Sequence, residues 1–193
     1  MSHAQKILAE VAQYVCRQMA QNDAAHDGDH VRRVVDIAMS LCKAYPQADP
    51  FRTELLAWLH DMNDDKLNSD VGADTIQTFL QNIGTPEADI LFVLNGIGHI
   101  SYRNHPKLPP DTPLEIQIVQ DADRIDAMGA IGIARTFAYG GANNRTLSDS
   151  LRHFDEKLLL LYDLLSTEEA KRIAKPRFEF LKSCYEQYLA ENP

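Results

Sequence analysis

Apolar residues recur three and four positions apart along nearly the whole chain, and alternation at period two is almost absent. Each segment can therefore bury one stripe as a helix, and nothing in the pattern asks for a sheet. The expected fold class is all-α. Ile7, Leu8, Val11, Ala12, Val15 and Met19 mark a first helix, broken by the Asp-, Asn- and Gly-rich stretch 22–28. A second starts at Asp29 or His30, carries Val31, Val34, Val35, Ala38, Leu41 and Cys42, and ends near Tyr45-Pro46. Residues 51–61 form a third, and a fourth begins at Asp70 or Asp74 and stops at Gly84. Thr85-Pro86 starts a fifth that breaks at Gly96 and Gly98, so residues 99–111 read as a loop.

Thr112-Pro113-Leu114-Glu115 has the form of a capping box with proline at the first helical position. From there one helix is expected to continue through Ile116, Val119, Ile125, Met128 and Ile131 toward Tyr139, with Gly129 and Gly132 at a close packing or a kink. Gly140 to Asn144 reads as a flexible connection and Phe154 to Leu165 as a largely apolar helix. Ser166-Thr167-Glu168-Glu169 caps the last helix, which runs to about Leu189. With no repeat, low-complexity tract or linker, the 193 residues are expected to form one domain. Its helical core would span about 22–140 and its C-terminal helices about 150–190. Those apolar helices either cover the core or form the face of a homodimer, and the sequence leaves both open.

Charge and cysteine usage narrow the partners. A formal charge of −9 argues against a nucleic-acid polymer, since backbone binding needs clustered Lys and Arg. Cys16, Cys42 and Cys184 are odd in number and lack CxxC spacing, which suits reduced thiols in the cytoplasm. No membrane span and no signal peptide are expected.

Three polar groups interrupt the apolar pattern. His60-Asp61 closes the run Leu55–Leu59 and is followed by Asn63-Asp64-Asp65-Lys66. His26 and His30 stand four apart and share a face wherever the backbone is helical. Asp121, Asp123 and Asp126 lie inside an otherwise apolar helix, where aspartate is a poor former and is rarely buried alone. Asp121 faces away from Asp123 and Asp126, so the three cannot serve one centre; the alternative is a solvated face with Arg124 as counter-charge. Imidazole and carboxylate are the ligand types that first-row dications accept together.

His30-x-x-Arg33-Val34, then His60-Asp61, then Ala122-Asp123-Arg124-Ile125 resembles the HD-domain superfamily of metal-dependent phosphohydrolases. The resemblance covers roughly residues 26–140. It implies that His30, His60, Asp61 and Asp123 hold one divalent cation. Asp121 to Tyr139 and His153 to Leu159 are similar to a bacterial branch acting as pyrophosphohydrolases on nucleoside triphosphates. Two neutral imidazoles and two carboxylates balance a dication, and such a centre activates water and polarises phosphorus–oxygen bonds. Ligation by nitrogen and oxygen without thiolate favours Mn, with Mg, Co, Ni, Fe or Zn as substitutes.

By the same resemblance Asp64 positions or deprotonates the attacking water and Asp65 supports it, where guanosine-polyphosphate hydrolases carry Glu-Asp. Here the shorter aspartate stands in that place; an exposed Asn-Asp-Asp-Lys turn needs no function at all. Lys66, Lys157, Arg33 and Arg124 are the candidate cations for the phosphate tail, although Arg33 and Arg124 are also placed to pair with internal carboxylates, and Arg177 reads as a surface cation. His99 and His105 fall where some superfamily members hold a second metal, but no motif surrounds them and a mononuclear site is expected. The expected function is hydrolysis of a (deoxy)nucleoside triphosphate to monophosphate and pyrophosphate. The rivals are a phosphomonoesterase, a guanosine-polyphosphate hydrolase, a dinuclear iron oxygenase of the same fold and a metal- or nucleotide-binding sensor without turnover.

Overall fold

The structure, a computed structural model, describes residues 1–19, 28–62, 73–102 and 107–192. Among these residues the regular elements are all helical: α1 (His3–Met19), α2 (Gly28–Cys42), α3 (Pro50–Leu59), α4 (Ala73–Asn82), α5 (Glu87–Ile100), α6 (Leu114–Asp126), α7 (Gly129–Ala142), α8 (Leu147–Glu156) and α9 (Glu168–Glu191). Two single turns of 3-10 helix, Leu158–Leu160 and Tyr162–Leu164, link α8 to α9. None of these helices is long and apolar enough to cross a membrane.

The centre is α6. It packs on α2, α3 and α5 on one side and on α7 and α9 on the other. Covered all round, it buries Ile116, Ile118, Val119, Ala122 and Ile125, and also Gln120, Asp121, Arg124 and Asp126. Amphipathic α1 closes the far side of α3 with Ile7, Val11 and Val15. Asp49 caps α3, its carboxylate accepting the Phe51 and Arg52 amides at 2.9 and 3.3 Å, with Pro50 at the first helical position.

Several expected boundaries move, each for a reason visible in the packing or the caps. Gly96 and Gly98 do not end α5. A Cβ at Gly96 would stand 2.9 and 3.0 Å from the Leu56 methyls, so the glycine lets α5 lie directly against α3, and the helix continues to Ile100. The capping box at Thr112 is not made. Pro113 takes the cap position, and the Glu115 carboxylate instead accepts the Asp49 amide at 2.8 Å, tying the start of α6 to the start of α3. The apolar stretch 154–165 is not one helix either. An earlier cap at Thr146, whose hydroxyl accepts the Asp149 amide at 3.0 Å, starts α8, and Lys157 (φ −142°) ends it. Nor do the glycines 140 and 141 form a loose connection: α7 runs through them, because Gly140 gives room to Ser150 of α8.

The largest correction is at α6–α7. The expected single helix is broken at Ala127-Met128, where Gly129 takes φ +71°, a conformation that costs other residues energy. A Cβ on Gly132 would overlap the Ala127 carbonyl oxygen, so a second glycine permits the corner. Thr167 caps α9 as expected, its hydroxyl accepting the Ala170 amide at 3.4 Å.

Candidate metal centre

Three helix ends deliver the polar side chains to one place. His30 lies in the first turn of α2, His60 and Asp61 just past the last turn of α3, and Asp123 in the last turn of α6. Both imidazoles are buried, with 3% and 1% of their side chains exposed, whereas Asp61 and Asp123 keep 26% and 28%. His30 Nε2 stands 3.3 Å from Asp61 Oδ2 and 3.5 Å from Asp123 Oδ1. His60 Nε2 stands 3.6 Å from Asp61 Oδ1 and 4.0 Å from Asp123 Oδ1. Donor atoms of His30, His60 and Asp61 all lie within 4.8 Å of one another.

Each ring is fixed from behind. His60 Nδ1–H donates to the Ala57 carbonyl at 2.8 Å, using an acceptor that the end of α3 leaves open. Because a carbonyl only accepts, Nδ1 carries a proton, and the ring turns its Nε2 toward the carboxylates. That atom is buried and has no hydrogen-bond partner among the described residues. His30 Nδ1 stands 2.7 Å from Asp126 Oδ2, to which it donates. Arg135 NH1 lies 3.0 Å from the same nitrogen, but two donors do not bond each other; the guanidinium shares the acceptor, reaching Asp126 Oδ2 at 2.8 Å.

The donor set fits a first-row dication. Ligands held at roughly 2.0–2.2 Å stand about 3–4 Å apart around such an ion. The observed separations match that, two carboxylates match its charge, and His60 Nε2, unsatisfied among the described residues, gains the partner that a buried nitrogen requires. Without the ion, burial pushes the His30 imidazolium pKa down, but the hydrogen bonds to Asp126 and Asp61 overrule it and raise it to about 9.

The three carboxylates of α6 do three different things, and a solvated face is not among them. Asp123 joins the cluster. Asp121, fully buried, accepts the Ser166 amide at 2.9 Å and the Thr167 amide and hydroxyl at 2.8 Å each, holding the start of α9. Burial nevertheless pushes its pKa up, against the pull of those donors. Asp126, also fully buried, bonds His30, Arg33 and Arg135. Burial alone would raise its pKa; these partners hold it well below the usual carboxylate range.

Other candidates fall elsewhere. Arg33 donates from Nε and NH2 to Asp126 at 2.7 and 3.2 Å. Arg124 is buried and donates to the Leu164 carbonyl, so its guanidinium meets the 3-10 segment and not open surface. Lys157 is half-buried with its ammonium 5.3 Å from the centre of the Tyr102 ring. Arg177 donates to the Ile125 carbonyl at 3.1 Å. His99 sits inside α5, with Nδ1 donating to the Asn95 carbonyl at 2.9 Å. His26, Asp64, Asp65, Lys66 and His105 lie outside the described residues. Arg135 was not expected, although it is the only charged residue of α7, a signal the sequence does carry.

The chain is similar to several known proteins. The HD domain model matches residues 27–128. The YpgQ protein of Bacillus subtilis (strain 168) is 35% identical over 182 residues, covering 89% of this chain and 87% of that protein. The crystal structure of B. subtilis YpgQ in complex with ADP is similar with a TM-score of 0.83 and 31% identity, over 96% of this chain and 98% of that one. An HD-superfamily hydrolase from Bacillus thuringiensis is similar with a TM-score of 0.77 and 35% identity, over 97% of each chain.

Proposed function

The chain belongs to the HD-domain family of metal-dependent phosphohydrolases, and from that premise we propose that it hydrolyses a nucleoside or deoxynucleoside triphosphate to the monophosphate and pyrophosphate. The observation that carries the metal dependence is the buried His60 Nε2, which has no hydrogen-bond partner among the described residues and faces Asp61 and Asp123. His30, His60, Asp61 and Asp123 hold the cation, Mn2+ by the ligand chemistry. When bound, the cation supplies Lewis-acid polarisation of phosphate oxygens and activation of water.

The chain's own residues do the rest. The two imidazoles are locked from behind, and Asp61 and Asp123, the exposed members, mark the side from which the substrate arrives. Asp64, three residues beyond Asp61, takes the proton of the attacking water, with Asp65 in support. Lys66 and Lys157 serve the phosphate tail as point charges, with the Arg33 guanidinium as a further cation beside the cluster. The ADP complex of the related YpgQ protein supports a nucleotide as the substrate class. The three cysteines, all free, suit the reducing cytoplasm.

The test is a panel of nucleoside tri-, di- and monophosphates and guanosine polyphosphates incubated with Mn2+, reading pyrophosphate against orthophosphate. Pyrophosphate released from triphosphates is expected. Orthophosphate from monophosphates would instead make the protein a monoesterase, and no release from any nucleotide would reject the proposal.

A further inference from the structure

Asp126 is a fully buried carboxylate that receives four donors. Oδ2 accepts His30 Nδ1–H at 2.7 Å, Arg135 NH1 at 2.8 Å and Arg33 NH2 at 3.2 Å, while Oδ1 accepts Arg33 Nε at 2.7 Å. One of its cations is brought there by the fold. On a continuous helix, Asp126 and Arg135, nine residues apart, would be separated by about 13.5 Å and point to opposite faces. The corner at Gly129 turns α7 back so that the two meet. The helix break, its two glycines and the lone cation of α7 thus converge on one carboxylate directly behind one imidazole.

His60 receives the equivalent support from a backbone carbonyl, which is neutral. His30 receives it from an anion. A carboxylate behind a ligating imidazole fixes the tautomer and ring plane and makes the distal nitrogen a stronger donor. We infer that Asp126, clamped by Arg33 and Arg135, is a positioning residue for the cation: it holds His30 as the Nδ1–H tautomer with Nε2 aimed between Asp61 and Asp123. The two arginines, both bonded to Asp126, keep the carboxylate from turning away from the ring.

This inference rests on the reading of His30 as a ligand. Its test is Asp126→Asn in the full chain. Asparagine keeps the shape but offers one acceptor oxygen to donors on both sides, so either His30 or Arg33 faces an amide N–H. Calorimetric titration of the metal-stripped variant with Mn2+ should show binding weakened about 10–100-fold while circular dichroism stays native. Arg135→Gln, which leaves the His30 bond in place, should show a smaller loss. Nitrogen-15 NMR of the wild-type imidazoles, with diamagnetic Zn2+ bound, should find His30 protonated at Nδ1 and ligated through Nε2, and this decides the question should the Asn variant not fold. A folded variant that binds Mn2+ as tightly as wild type, or ligation through Nδ1, overturns the inference alone. Wild type that binds no Mn2+ overturns the ligand reading and this inference with it.

Discussion

Asp121 and Asp123 are two positions apart on α6, and exchanging each for asparagine should have opposite consequences. Asp121 supplies two oxygens to three donors at the start of α9, two of them buried on Thr167. An asparagine supplies one oxygen, so the Ser166 or the Thr167 amide is left facing an N–H. A buried unsatisfied amide costs about 1–3 kcal/mol, and the remaining bonds lose charge assistance. Neutralising the group returns part of this, because burial already disfavours its charge. The net loss is about 2 kcal/mol, or a melting temperature lower by roughly 4–8 °C for a chain of this size. Mn2+ affinity should stay within about twofold of wild type, since Asp121 points toward α9. Asp123, with 28% of its side chain exposed, satisfies no buried donor of that kind. Asp123→Asn should change the stability of the metal-free protein by about 1 kcal/mol or less and weaken Mn2+ binding by at least tenfold. Thermal melts of the metal-stripped variants and Mn2+ titrations read both quantities. Weak metal binding in Asp121→Asn with normal binding in Asp123→Asn would refute the ligand assignment and the reasoning that separates the two carboxylates.

His60→Ala removes the imidazole that Ala57 orients, and should abolish Mn2+ retention and hydrolysis together; loss of activity with full metal occupancy would move the ligand set elsewhere. In the metal-free protein the His30 pKa is raised to about 9 from 6.5. Its pairing with Asp126 and Asp61 therefore contributes stability that is complete below about pH 6.5 and is lost as the pH rises through about 9, which urea unfolding of the stripped protein across that range will read. A ligand must give up that proton. At pH 7 Mn2+ binding should release about one proton, and affinity should rise up to about tenfold per pH unit until about pH 9, as calorimetry in buffers of different ionisation enthalpy will show. Gly132→Ala drives a methyl into the Ala127 carbonyl oxygen and should cost about 4 kcal/mol or more, seen as lost soluble yield or a collapsed urea midpoint. Gly96→Ala meets only the flexible methyls of Leu56 and should cost about 1–3 kcal/mol in the same assay.

What the sequence made legible is what local pattern can encode. The stripe Ile7, Val11, Val15 gives α1, Asp49-Pro50 gives the start of α3, and Thr167 gives the cap of α9, because each needs only residues within about two turns. Two of the misread boundaries depend on a neighbour far along the chain. By propensity Gly96 reads as a breaker, since glycine is a poor helix residue, but its use is set by Leu56, forty residues earlier. Glu115 reads as half of a local box, but the amide it caps belongs to Asp49. Propensity describes what a residue costs its own helix and is silent about which other helix needs the space or the acceptor.

The same division runs through the cluster at His30. The ligand types were visible because metal chemistry restricts them to a few side chains at recognisable offsets. Their supports were not visible, because an orienting acceptor can be any oxygen: a backbone carbonyl behind His60, a carboxylate from another helix behind His30. Asp126 looked like one of three similar aspartates. What distinguishes it is the break at Ala127-Met128, which brings Arg135 onto it and leaves Asp121 to α9 and Asp123 to the cluster. Had the helix run on to Tyr139, Asp126 would have lost this second guanidinium and its buried charge would have rested on Arg33 and His30 alone. A buried carboxylate is retained only where its partners suffice. The corner in the backbone and the anion behind the imidazole are therefore one device, and Gly132, which touches neither His30 nor Asp126 through a side chain of its own, is as much a condition of that device as the carboxylate itself.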